Sequence, residues 1–162
     1  MKISEGSKNA NYIECISPKR NRWRIRWDFS KKDDSDDVYT FCEEDFDHKP
    51  SVEEIRHVIV GYYNQQIDNR ILQGFEWNGN PVWLSSENQF NYKAAYDLAV
   101  QTNGANLPVT FKFGTDENPE YVEFSTVDKL ASFYNAAVLF VNKTLMDGWK
   151  IKDTINYDSY MI

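Results

Sequence analysis

The stretch Arg22-Trp23-Arg24-Ile25-Arg26-Trp27-Asp28-Phe29 decides the class of fold. Large apolar and charged side chains alternate through it without a break. Side chains of a strand point alternately to its two faces, so the spacing predicts a strand with Trp23, Ile25, Trp27 and Phe29 on a core face and Arg22, Arg24 and Arg26 on the other. Downstream, Ser30 to Asp37 reads as a charged loop carrying Asp33, Asp34, Asp36 and Asp37. Val38 to Glu43 returns as the partner strand, which sets Glu43, Glu44 or neighbouring carboxylates across from the arginines. Upstream, Ser17 to Asn21 is a turn and Tyr12 to Ile16 a first strand. Residues 1–11 are small and polar and are expected to be disordered.

Helices follow. Pro50-Ser51-Val52-Glu53-Glu54 has the spacing of a capping box, with Ser51 and Glu54 bonding each other's backbone amides. Ile55, Val58, Ile59 and Tyr62 continue at helical spacing, which predicts a helix over Val52 to Gln73, stopped at Gly74. Phe75 to Leu84 is a hairpin turning at Asn78-Gly79. Ser86 and Gln89 have the spacing of a second capping box, and that helix should reach Gln101. Val109 to Phe113 and Tyr121 to Phe124 form another hairpin. A last helix is capped by Ser125 or Thr126 and stops near Gly148. Its core face is Val127, Leu130, Phe133, Tyr134, Ala137, Val138, Val141 and Leu145.

This order predicts an α+β fold of three successive strand-pair and helix units, with a mostly antiparallel meandering sheet and helices packed on one face. A single domain is expected over residues 12–155, made of a region 12–73 and a region 74–155, with 156–162 as a C-terminal tail.

Composition narrows the function. The 162 residues suit one domain, and 41% hydrophobic with 15% aromatic residues excludes a disordered chain. A net charge of −7 repels phosphate, so neither nucleic acid nor an anionic membrane is expected as a partner. No run approaches the roughly 18 apolar residues of a membrane span, and the first residues lack the apolar core of a signal peptide. A soluble protein made without export is the expectation.

The chemistry-bearing residues are sparse. There is no G-x-S-x-G, and neither Cys15 nor Cys42 has a histidine placed to activate it, so both read as buried free thiols. Asp45, Asp47 and His48 could gather a cation, but they read better as a solvated strand-to-helix connection. The acidic cluster from Asp33 to Asp47 lacks the glycine and distal glutamate of a calcium loop. No enzyme, metal or cofactor is expected. The candidate binding residues are Trp77, Asn78, Trp83 and Asn91, around one turn and the helix after it. Trp77 or Trp83 should pack on that helix near Phe90 and Ala94; the alternative is that the indoles stack on a sugar or a protein partner.

From Ile71 to Ile155 the chain resembles a phage-associated domain of unknown function found near the C-terminal end of phage and prophage tail-related proteins. The residues that carry the likeness are Gly74-Phe75-Glu76-Trp77-Asn78-Gly79, Val82-Trp83-Leu84-Ser85, Gln89, Asn91-Tyr92, Leu107-Pro108-Val109-Thr110-Phe111-Lys112, Leu130, Phe133 and Gly148-Trp149-Lys150-Ile151-Lys152-Asp153. The resemblance brings no catalytic residues. It implies a virion or tail-assembly role through contact with a protein partner, and so synthesis in the bacterial cytoplasm followed by virion association. The acidity permits a different reading, an inhibitor that mimics DNA, and the tryptophans permit a third, a carbohydrate-binding module.

Overall fold

The computed structural model describes residues 1–33 and 38–161. Its elements are β1 (Lys2–Ser7), β2 (Ile13–Ser17), β3 (Arg22–Lys31), β4 (Val38–Phe46), α1 (Val52–Gln73), β5 (Phe75–Trp77), β6 (Asn80–Val82), α2 (Ser86–Gln101), β7 (Val109–Gly114), β8 (Pro119–Phe124) and α3 (Val127–Asp153). The fold is α+β. Its strands make one four-stranded antiparallel sheet and two separate two-stranded ladders, where the sequence predicted a single meandering sheet. The chain also divides into two compact units where one domain was expected: Met1–Tyr62 with Thr154–Ile162, and Tyr63–Asp153. Asp34, Asp36 and Asp37 of the expected charged loop lie outside the described residues.

The first unit holds the sheet, in the order β1-β4-β3-β2. Residues 2–7, expected to be disordered, pair with β4 from Lys2↔Glu43 to Ser7↔Val38. Few apolar residues are needed for an edge strand, because its backbone bonds and polar side chains do the anchoring. Ser4 donates to Glu43 at 2.7 Å, and the terminal amine pairs with Glu44.

Ile25 and Trp27 of β3 are 0% and 3% exposed, as the alternation requires. The opposite face is not a solvated arginine row. Arg26 is 8% and Glu43 3% exposed, joined at 2.7 Å, and Arg26 also donates to Glu14 and to the carbonyl of Asn11. Arg24 grips Asp45 at 2.6 and 3.0 Å. Burial opposes ionisation of Glu43, but hydrogen bonds from Ser4, Arg26 and Lys2 together outweigh it and hold its carboxyl below the usual range.

Phe29 departs from its predicted face. Trp27 pairs with Cys42 and the next pair is Ser30 with Thr40, so Asp28 and Phe29 stand against Phe41 alone. Asp28 sits at φ +59. This bulge turns Phe29 to the arginine side, 5.0 Å from both Phe41 and Tyr12. Residues 157–160, expected as a tail, form a 3-10 turn; the buried Tyr160 donates to the Arg26 carbonyl at 2.8 Å.

The second unit is built on Phe133 of α3, which is fully buried. Trp77, Tyr92, Phe113 and Phe124 lie with ring centres 5.5, 5.0, 5.1 and 5.1 Å from it. Burying such a ring contributes roughly 1.5–3 kcal/mol. The β5–β6 turn has Asn78 at φ +51 and Gly79 at φ +81, the two positive values of a tight hairpin turn. Gly148 does not stop α3, which runs on to Asp153. It is buried, and a β-carbon there would lie 2.2 Å from Ile67 Cδ1 of α1, so close approach of the two helices explains the glycine.

Candidate functional site

The segment from β6 into α2 aims its side chains by strand alternation. Val82 and Leu84 are each 1% exposed, so Trp83 between them points outward and is 50% exposed. Three hydrogen bonds pin this backbone. The Leu84 backbone amide donates to the Leu72 carbonyl at 3.2 Å, the Asn88 side-chain amide donates to the Trp83 carbonyl at 2.8 Å, and the Gln89 side-chain amide to the Leu84 carbonyl at 2.8 Å. The cap of α2 is Ser85, accepting from the Asn88 backbone, and not the predicted Ser86. The shift frees the Asn88 side chain to hold Trp83 in place.

A groove of about 740 Å³ opens beside Trp83. Its floor is Val82, Tyr92, Phe111 and Phe113, all buried; its rim includes Gln73, Asn91, Thr110, Lys112 and Asp116. Lys112 donates to Asp116 at 3.0 Å, and that bond raises the lysine above its ordinary range. Burial pushes the Tyr92 hydroxyl up to about 12, so it stays protonated.

Of the four candidate residues, the structure brings Trp83 and Asn91 together on this groove. Asn78 sits at the exposed tip of the turn. Trp77 packs edge-on against Phe133 of α3, not against α2, and Phe90 is 74% exposed. The inward indole is therefore taken up by the Phe133 cluster of α3 and not by the sequence-adjacent helix.

A second surface was not legible beforehand. Val138, assigned to the core, is 37% exposed, and Leu139, Met146 and Trp149 of α3 are 67%, 51% and 52% exposed. Helical spacing sets them on one outward stripe. Phe90 of α2 adds to it beside a shallow cavity of about 210 Å³ lined by Tyr134, Ala137, Val138 and Val141. The signal in the sequence was the apolar excess of this helix: it has more large apolar residues than one core face can take.

The remaining candidates are committed to structure. Asp45 is held by Arg24, and His48 bridges Asp47 and Glu54 at 2.8 Å each. Burial raises the Cys42 thiol, which disfavours the reactive thiolate. Among the described residues no group of three or more His, Cys, Asp and Glu is placed to hold a metal, and no helix is long and apolar enough to cross a membrane. Comparison with family models, with curated proteins and with solved structures found no match.

Proposed function

We propose that this chain is a non-enzymatic phage or prophage accessory protein that works by protein–protein contact in the virion or in tail assembly. The observation that supports contact is the outward stripe of Leu139, Met146 and Trp149 with Phe90 beside it, in a chain whose core is otherwise well filled. Several large apolar side chains exposed along one helix face are costly to leave in water and point to a contact surface. An aromatic and a methionine are the side chains that interface centres favour. The phage setting comes from the resemblance over residues 71–155. The DNA-mimic reading draws less from the geometry, because Glu43 and Asp45 are spent on Arg26 and Arg24 and are not free to imitate phosphates.

The test uses Leu139→Glu and Trp149→Glu chains expressed in a host carrying the prophage. After induction, the unaltered chain should sediment with tail particles or tail intermediates, and both variants should be left in the supernatant while remaining folded. A chain that never sediments with phage structures, or variants that sediment as well as the original, would remove the proposal.

A further inference from the structure

The groove beside Trp83 is separate from the α3 stripe and has different chemistry. We infer that it binds a neutral oligosaccharide, with one pyranose ring stacked on the Trp83 indole and its hydroxyls hydrogen-bonded by Asn91 and its neighbours on the rim.

Three observations select this ligand class. First, the floor residues Val82, Tyr92, Phe111 and Phe113 are 1–7% exposed, so they shape the groove but leave little apolar area to cover. The most exposed apolar side chain of the lining is the half-exposed indole, with Leu72 and Pro81 half-buried beside it, and the Asn88 side chain fixes the Trp83 backbone. A sugar needs one flat aromatic face for its C–H side, and the outward indole supplies it. Second, the rim is polar and has capacity to spare. Among the described residues, the side chains of Gln73, Asn91 and Thr110 make no hydrogen bond within the protein, so they can exchange water for hydroxyls. Third, the charge is balanced. Among the described lining residues Lys112 is the one cation, and Asp116 neutralises it. With a net charge of −7 on the chain, phosphate, nucleotide and acidic glycans are disfavoured and uncharged sugars are not. The volume is within the range of sites that enclose a small ligand, roughly 300–1,000 Å³.

The experiment titrates the full chain with maltohexaose, cellohexaose and the hexamer of N-acetylglucosamine, three neutral probes that present the pyranose face differently. Binding is read by calorimetry and by tryptophan fluorescence. At least one probe should bind with a dissociation constant of about 0.1–1 mM and shift the fluorescence. Trp83→Ala should weaken it by about tenfold or more, Asn91→Leu by several-fold, and Trp83→Phe less than Trp83→Ala because a smaller platform remains. Val100→Ala, which trims an exposed side chain near the end of α2 that does not line the groove, should bind as the original does. No heat and no shift with any probe at about 10 mM would overturn the inference, as would binding that survives both Trp83→Ala and Asn91→Leu. None of these variants touches the α3 stripe, so failure here leaves the protein-contact proposal standing.

Discussion

Gly148→Ala sets two effects of opposite sign against each other. Removing a glycine from a helix favours folding by about 0.5–1 kcal/mol, because the unfolded chain loses freedom. The added carbon, however, would lie 2.2 Å from Ile67 Cδ1 and 2.4 Å from Cγ1. Ile67 is 8% exposed, and its Cγ1 lies next to the β-branch, so the crowded atom is not a free chain end. Forcing such a contact costs typically about 1–3 kcal/mol. The packing effect wins, and the expected result is a destabilisation of about 0.5–2 kcal/mol. In an Ile67→Ala background both crowding atoms are gone, and the nearest that remains, the β-carbon, is 3.7 Å away. There only the backbone effect survives, and the same substitution should stabilise by about 0.5–1 kcal/mol, even though Ile67→Ala alone costs about 2–5 kcal/mol. Urea denaturation of the four proteins gives the cycle, with an expected coupling of about 1–3 kcal/mol. A Gly148→Ala chain that is more stable than the original, or an effect equal in both backgrounds, would refute the claim that Ile67 dictates this glycine.

Glu43→Ala should destabilise by about 3–5 kcal/mol in urea, because Arg26 and Glu43 have side chains 9% and 4% exposed and one would be left without its main partner; replacing both by Met and Leu should recover most of the loss. Ser85→Ala should cost about 0.5–2 kcal/mol and Ser86→Ala less than about 0.5, since the hydroxyl of Ser85 is the cap; the reverse order would move the start of α2. His48 is raised above 6.5 by its bonds to Asp47 and then Glu54, so its contribution is complete below 6.5 and is lost as the pH rises through the folded value. Glu54 is lowered from 4.5 to about 2 by the Ser51 backbone amide and then by His48, so its contribution is complete above 4.5 and is lost as the pH falls toward 2. Stability from this cluster should therefore be greatest between those limits; an NMR titration placing His48 below 6.5, or a His48→Gln chain with the same alkaline limb as the original, would count against it.

Local signals were read well from the sequence. Ser51 and Glu54 predicted both their reciprocal bonds and the start of α1, because a capping box is satisfied within four residues. The turn at Asn78-Gly79 was likewise legible from the positive φ it needs. What was hidden depends on partners distant in the chain. β1 is defined by the free edge of β4, and the face of Phe29 by a bulge that no alternation rule registers. Half of the candidate site was legible: Trp83 and Asn91 meet, but which of two similar indoles turns inward was decided by Phe133, more than fifty residues downstream.

The first unit is discontinuous along the chain: residues 154–161 return to it after the whole of 63–153 has intervened. On a ribosome that order is also an order in time. The sheet and the first turns of α1 emerge before residues 63–153, yet the ring of Tyr160, which satisfies the Arg26 carbonyl and lies 5.6 Å from Tyr12, emerges after them. The second unit has its own aromatic core and all of its chain by then. Vectorial synthesis thus lets the inserted block fold first and leaves the nascent sheet with an open seam until residues 154–161 clear the exit tunnel. A chain stalled before residue 154 would display that seam, with Tyr12 lacking its Tyr160 neighbour, as a mark that quality-control proteases and chaperones can read.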